Sequence, residues 1–374
     1  MSNIDEWVHN ANECISIVQK NEKGDVDCEF HPTFTYSIFG DSEVLYGYKN
    51  LNIEIQYISP SMKPQLKVTC SDRLAPESGV EPTNVDKTLS KYLRDDRVPE
   101  SLEPVDVRNI PVAETYSFDE RKFCILKSKP SDLAAIMQYL QIFSLFFIEG
   151  GSFIDIFDPK WTIYLLYEIK EEQYCLRGYC TVYHYYKWDK TRTDGERPRI
   201  SQFVIFPPFQ REGHGSRLYN TIVNIFLEDP KILEFAVEDS SEAFDDLRDR
   251  CDFQRLKSMN IFTSPEFRLP LSKEWLHSQR SATKLPPRQF LRCCEIALTM
   301  KMKDLSLLER KALRLLIKER IFRQNLDVLL QLDRSDRLDK IQGAYQNQLD
   351  EYKKIAKKLP KLLKEGSRKR QKTK

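Results

Sequence analysis

Residues Gln202–Phe226 read QFVIFPPFQREGHGSRLYNTIVNIF, an apolar strand, two prolines, two glycines placed two apart, and an amphipathic helix pattern. The chain has only 12 glycines in 374 residues, so the pair Gly213 and Gly215 marks a place where the backbone matters more than side chains. A helix start presents amide N–H groups that have no intrahelical acceptor, at the positive end of the helix dipole. Such donors suit a phosphate or diphosphate. Glycine lets the loop adopt positive φ and keeps Cβ atoms out of the anion's way, and Ser216 adds a hydroxyl. A tight turn without a ligand shows the same letters.

The strand-first, helix-after order continues outward. WTIYLLYEI, LRGYCTVYHYYKW and ISQFVIF precede the loop as strands; SRLYNTIVNIFLE follows as a helix, then ILEFAVE as a strand and DSSEAFDDLRDRCDFQRLKSM as a helix. Upstream, Ser131–Glu149 has helical spacing, a Ser-Asp start and a Gly150-Gly151 stop. TFTYSIFG, LNIEIQYI and QLKVTC read as short strands, with EVLYGYKNLNIEIQYI alternating like a hairpin and RLAPESGVEPTN as a loop. From about Ser272 the pattern is helical and highly charged, either a docked bundle or one long helix with an apolar stripe for a partner. The expected architecture is α/β: a mixed sheet at residues 119–270, an N-terminal α+β domain at 1–118, a helical region at 271–350 and a basic tail at 351–374.

Composition narrows the function classes. With 41% hydrophobic and 30% charged residues this is an ordinary globular composition. The longest apolar run, Ile142–Ile148, is far below the roughly 20 residues of a membrane span, and the N-terminus lacks the basic and apolar blocks of a secretory signal. An intracellular protein is expected. Nine cysteines, an odd number without a Cys-x-x-Cys pair, read as thiols, and five scattered histidines lack metal-ligand spacing, so no metal is expected. The last 24 residues carry eleven Lys/Arg against two Glu, which leaves −7 on the other 350 residues of a chain whose net charge is +2. That acidic body argues against nucleic-acid binding and suits a cationic substrate. The RKRQKTK run is a nuclear-import address, a polyanion-binding arm, or a solvated tail without a role.

Among phosphate loops, the Walker pattern fails for want of its lysine, and the dinucleotide fingerprint for want of its third glycine. Gln210–Gly215 instead matches [Arg/Gln]-x-x-Gly-x-[Gly/Ala], the coenzyme A diphosphate loop of the GNAT acyltransferases. With ISQFVIFPPFQREGHGSRLY, FAVEDSSEAFDDLRDRCDFQRL, IFSLFFIEGGSFID and FTYSIFGDSEVLYGYK, the chain resembles the catalytic subunits of type B histone acetyltransferases, with interruptions, from roughly Phe30 to Ile261. The resemblance implies a GNAT core using acetyl-coenzyme A to acetylate lysine in the tail of free, newly made histone H4, with a WD-repeat histone-binding subunit, in cytoplasm and nucleus. A GNAT enzyme for a small amine or another protein, and a non-catalytic adaptor, are the alternatives.

Acetyl transfer to lysine requires a neutral amine, and deprotonating a free lysine at pH 7 costs about 4.6 kcal/mol. A carboxylate base supplies typically about 10²–10⁴ in rate, and a thioester needs no covalent enzyme intermediate. Glu238, leaving the apolar run Phe235–Val237, is expected to be a buried base. Asp239 is a second acid there or a helix N-cap, and Glu149 is a site acid or an exposed helix end; the resemblance makes all three base candidates. It also implies coenzyme contacts from the backbone of Phe203, Val204 and Ile205, from Gln210, Arg211, Glu212, Gly213, His214, Gly215 and Ser216, and from Ser241, Phe244 and Arg250. Yeast-type members carry Asn where this chain has Ser241, and Phe244 fits core packing equally well. Asp41, Ser42 and Glu43, on a turn between strands, are the histone-tail contacts it implies; a solvated turn has the same composition. The aromatics of Tyr183–Trp188 suit stacking on lysine stems, though alternate ones must face the core.

Overall fold

In a computed structural model, the structure describes residues 4–75, 81–99, 101–103, 105–190 and 193–359. Two compact units emerge, one formed by Met1–Ile225 with Val237–Asp239, the other by Phe226–Ala236 with Ser240–Lys374. The RKRQKTK segment lies outside the described residues.

The first unit begins with a four-stranded sheet of β1 (Ile15–Lys20), β2 (Val26–Phe30), β3 (Asn52–Ile58) and β4 (Lys63–Thr69), in the order β2-β1-β3-β4. Strand β3 alternates strictly: Ile53, Ile55 and Tyr57 are buried while Asn52, Glu54 and Gln56 face outward. It pairs parallel with β1 and antiparallel with β4. Helix α1 (Val85–Leu93) follows, capped by Asn84 and burying Val85, Leu89 and Leu93 at helical spacing.

A six-stranded sheet comes next: β5 (Val112–Phe118), β6 (Arg121–Ser128), β7 (Trp161–Lys170), β8 (Gln173–Tyr186), β9 (Glu196–Ile205) and the two-residue β10 (Ala236–Val237). The order is β10-β9-β8-β7-β6-β5, antiparallel from β5 through β9. Between β6 and β7 lie α2 (Ala134–Leu140) and α3 (Ile142–Phe147). Their buried faces join both sheets into one core, where Phe206 stacks on Phe30 at 5.5 Å and on Phe143 at 4.8 Å. Helix α4 (His214–Glu228) follows the glycine loop, and its Leu218, Tyr219, Ile222 and Val223 are buried.

The second unit is helical: α5 (Glu242–Ser258), α6 (Lys273–Thr283), α7 (Pro287–Met300), α8 (Leu307–Gln324), α9 (Leu326–Leu330) and α10 (Arg334–Lys358). Of the two readings of its charged end, the docked bundle is the one found. Breaks at Asn325 and after Leu330 interrupt the helix, and buried Glu295 of α7 binds Arg320 of α8 (3.0 Å) and Tyr352 of α10 (2.6 Å).

Four expectations are corrected. TFTYSIFG is not a strand: Tyr36–Phe39 is a helical turn, because the Glu43 carboxylate accepts the amides of Thr35 (2.6 Å) and Tyr36 (3.0 Å). EVLYGYKNLNIEIQYI is not a hairpin: Val44–Tyr46 pairs with Val8–Asn10, and Tyr48–Lys49 with Asp72–Arg73. Ser131–Glu149 is a 3₁₀ turn (Pro130–Leu133) and two helices divided at Gln141, whose buried side chain bonds Asp95 (3.1 Å) and the Ile154 amide (2.8 Å). Gly151 ends it, since a Cβ there would stand 2.2 Å from the Ser144 carbonyl oxygen. Finally, ILEFAVE supplies only Ala236–Val237 to the sheet; the Phe235 amide binds the Lys284 carbonyl instead (3.0 Å).

Candidate active site

Strand β9 is irregular where it matters. Cys180 pairs with Phe203 but Val182 pairs with Ile200, so Thr181 alone faces both Ser201 and Gln202. This bulge is pinned by side chains, since the Gln202 amide donates to the Thr181 hydroxyl (3.1 Å) and the Gln202 amide group donates to the Ser152 carbonyl (2.7 Å). Just before the bulge, the Glu238 amide donates to the Ile200 carbonyl at 2.9 Å. Its carboxylate takes one bond per oxygen, from the Arg199 guanidinium (2.9 Å) and from the Ser201 hydroxyl (2.5 Å). Arg199 also stacks over the Tyr185 ring, 4.8 Å from its centroid. The apolar burial expected of Glu238 is therefore corrected: its side chain is 34% exposed and ion-paired, because the strand ends at Val237.

The loop leaves β9 through a 3₁₀ turn, Pro207–Phe209, packed under buried Arg177, whose guanidinium lies 4.2 Å from the Phe209 ring centroid. Gln210 returns its side-chain N–H₂ to the Ile205 carbonyl (2.8 Å). Arg211 has φ of 65° and Gly213 φ of 91°, which turns the chain so that α4 opens at His214. Arg217 N–H already reaches the Gly213 carbonyl (3.0 Å), so the amides of His214, Gly215 and Ser216 are the donors of the helix mouth. A Cβ at Gly213 would meet nothing within 4 Å, which leaves that side of the loop open.

The side chains of the loop have separate fates. His214 is buried, its ring 4.4 Å from Phe123, so only its amide is left for a ligand. Its Nε2 lies 3.1 Å from the Glu212 carboxylate and its Nδ1 2.7 Å from the Tyr116 hydroxyl. A carboxylate only accepts, so Nε2 carries the proton and Nδ1 accepts from Tyr116. Glu212 turns to Arg121 (2.8 Å), and the hydrogen bond from Arg121, then that from His214, hold its carboxyl below the ordinary value against burial.

Burial pushes the His214 imidazole below its ordinary value of 6.5, against the opposing pull of Glu212. The unfolded chain therefore takes up this proton at higher pH than the folded one. The stabilisation is complete above about pH 6.5 and is lost as pH falls through the lower folded value. Melting temperature should fall more between pH 7.5 and 5.5 for the natural chain than for His214→Gln; parallel curves would remove His214 from that account.

The remaining predicted residues fall as follows. In the first unit, Phe203, Val204 and Ile205 continue β9 beyond the bulge, with Val204 buried. Glu149 follows α3 and is exposed beside Gly150, whose amide donates to the Tyr36 hydroxyl (2.5 Å); Asp239 is exposed directly after Glu238. Asp41 and Ser42 are exposed, on a turn between the Tyr36–Phe39 helical turn and Val44–Tyr46 rather than between two strands. Glu43 is occupied: burial raises its carboxyl, but bonds from the Thr35 amide, Asn12 and the Tyr36 amide outweigh that and hold it below the ordinary range. In the second unit, Ser241 caps α5 by accepting from the Phe244 amide (3.3 Å), so Asp239 is not the N-cap. Phe244 is half-buried, and exposed Arg250 donates to the Asp246 carbonyl (3.2 Å). Sequence reasoning missed Arg199, Ser201, Arg121 and Tyr116, which no motif marks. Among the described residues there is no group of three or more His, Cys, Asp or Glu that could hold a metal, and no helix long and apolar enough to cross a membrane.

A bulged strand, a glycine loop, a helix mouth and an acid directly after a short strand make up one mixed α/β arrangement. Residues 7–149 match the family described as histone acetyl transferase HAT1 N-terminus, and residues 249–303 that described as fungal HAT1, C-terminal. The histone acetyltransferase type B catalytic subunit of Schizosaccharomyces pombe is 62% identical over 372 residues, covering 100% of this chain and 98% of the relative. That of Kluyveromyces lactis is 34% identical, covering 94% of this chain and 93% of the relative. A solved structure titled as a possible acetyltransferase from Clostridium difficile 630 shares 15% identity and a TM-score of 0.25 over 37% of this chain and 89% of its own, a likeness that bears no weight. The chain belongs to the family of type B histone acetyltransferase catalytic subunits.

Proposed function

We propose that the chain transfers acetyl from acetyl-coenzyme A to lysine in the tail of free histone H4, by direct attack in a ternary complex, with Glu238 as general base. The observation that carries the base assignment is the Glu238 carboxylate held by Arg199 and Ser201 beside the β9 bulge. Each oxygen accepts one bond, so each keeps a lone pair for a proton taken directly or through water. Asp239 and Glu149 are the secondary acids.

The donor set of the loop fits a diphosphate. The amides of His214, Gly215 and Ser216 open helix α4, while the loop's carboxylate is engaged by Arg121 and His214. The coenzyme supplies an acetyl group already activated as a thioester. Backbone groups of Phe203, Val204 and Ile205 would align its pantetheine arm, with Gln210 and Arg211 flanking the diphosphate. Ser241, Phe244 and Arg250 are the further coenzyme contacts of this reading, and Asp41, Ser42 and Glu43 the tail contacts. With Glu43 occupied by the Tyr36–Phe39 turn, Asp41 is the acid left to attract a cationic tail. On this reading the chain acts in cytoplasm and nucleus beside a WD-repeat histone-binding subunit.

Mass spectrometry of an H4 tail peptide incubated with acetyl-coenzyme A and this protein tests the reading. Acetyl-lysine on the peptide is expected, and acetylation of polyamines in its place would reject the histone assignment. Gly213→Val should weaken coenzyme binding about tenfold, because a branched residue at φ of 91° costs on the order of 1–3 kcal/mol and would shift the loop. Turnover at saturating coenzyme should stay near the natural value. Calorimetry giving unchanged affinity would remove the loop from coenzyme binding.

A further inference from the structure

An acid in the middle of an anion-binding loop is an electrostatic contradiction. Glu212 sits between Arg211 and Gly213, beside the amides assigned to the diphosphate, where a free carboxylate would repel the ligand. The structure resolves the conflict with side chains from the far edge of the sheet. Arg121 on β6 binds the Glu212 carboxylate at 2.8 Å, and Arg121 is itself held over Phe118 and Phe123, 5.5 Å from each ring centroid. The same carboxylate oxygen accepts from His214 Nε2, and Tyr116 on β5 donates to His214 Nδ1. The Tyr116 ring stacks on Phe123 at 5.2 Å, so the last donor of the chain is fixed by packing. The loop leaves β9 and is caught at β5 and β6, strands that contribute none of the proposed coenzyme contacts.

We infer that Arg121 and Tyr116 are positioning residues for the coenzyme. Through Glu212 and His214 they turn the loop's one carboxylate away from the ligand and hold the two left-handed residues that aim the helix mouth. The inference rests on the diphosphate reading of the loop. It assigns Arg121 no contact with coenzyme or substrate. Its effect is confined to coenzyme affinity, because neither Glu238 nor its partners Arg199 and Ser201 belong to this network.

The test compares coenzyme affinity by calorimetry, steady-state constants and melting temperature in the full chain. Arg121→Met is expected to raise the acetyl-coenzyme A KM and Kd about five- to tenfold, with kcat and the peptide KM unchanged, as befits a partly exposed pair. Tyr116→Phe should shift the same constants in the same direction by a smaller factor. Adding Glu212→Gln to Arg121→Met should restore coenzyme affinity to within about twofold, because the released carboxylate is gone. A purely structural pair would show no such rescue. If Gly213→Val weakens coenzyme binding while Arg121→Met does not, the loop reading stands and the positioning role is overturned. If neither variant changes affinity, the diphosphate reading fails and the inference falls with it. Loss of kcat and melting temperature together, without rescue by Glu212→Gln, also overturns it.

Discussion

Glu238→Gln is expected to lower turnover by about 10² or more while leaving coenzyme affinity nearly unchanged. Glutamine has almost the same shape and can still accept the Ser201 hydroxyl bond, so strand β10 and the Ile200 pairing should persist. It cannot take a proton from an ammonium group, and that is the function proposed for this position. The ion pair with Arg199 is also lost, but both side chains are about one-third exposed, so its share of stability is at most about 1 kcal/mol. Melting temperature should therefore move little, which separates chemistry from folding. Raising the pH in the assay should recover part of the lost rate, since more of the substrate lysine is then already neutral. Natural turnover in the variant would exclude Glu238 as the base and leave Asp239 and Glu149 as candidates.

Arg177→Met should destabilise the fold by about 3 kcal/mol or more. Arg177 on β8 is fully buried and binds Asp27 at 2.5 Å, Glu168 at 2.8 Å and the side-chain carbonyl of Gln19 at 3.0 Å. Burial alone would raise the Asp27 carboxyl, but hydrogen bonds from Arg177 and Lys170 outweigh it and hold it below the ordinary value. Removing the guanidinium leaves two buried acids with, among the described residues, Lys170 at 2.6 Å and 3.5 Å as the cation to answer them. The cost comes from desolvated charge rather than from the lost pair itself. Accordingly, Arg177→Met combined with Glu168→Met and Asp27→Asn should recover much of the stability. Urea unfolding midpoints measure both effects, and a loss below about 1 kcal/mol in the single variant would contradict this account. Because the Arg177 carbonyl accepts the Phe206 amide (2.9 Å) and its guanidinium covers Phe209, the same variant should loosen the start of the loop.

The parts of this fold that are legible in the sequence are those fixed by local pattern. Helix α4 announces itself through Leu218, Tyr219, Ile222, Val223 and Phe226, and its opening through the two glycines. Strands β7, β8 and β9 are long apolar or alternating runs. What resists reading depends on partners distant in the chain. Tyr36–Phe39 has strand-forming residues, yet it turns as a helix because Glu43 supplies acceptors for its first amides. The bulge at Ser201 and Gln202 has no letter of its own, since it exists only in the pairing with Thr181. Ser131–Glu149 carries one continuous helical period, and the division at Gln141 comes from two bonds to Asp95 and Ile154. At the candidate site, Glu238 and Gly213 could be named from position alone. Arg199, Ser201, Arg121 and Tyr116 could not, because each acts through a neighbour on another strand or loop.

The route of the backbone bears on how the gene can be cut. After Ile225 the polypeptide quits the first unit and comes back to it only for Val237, Glu238 and Asp239. Those three residues sit like a single stitch, with thread from the other unit on either side. A fragment ending at Ile225 keeps the glycine loop but has lost the acid, and a fragment starting at Phe226 has the acid without the strand that orients it. No single break in the reading frame separates the two units cleanly. On the proposed reading, a product cut between Ile225 and Phe226 would hold either the glycine loop or the proposed base, never both.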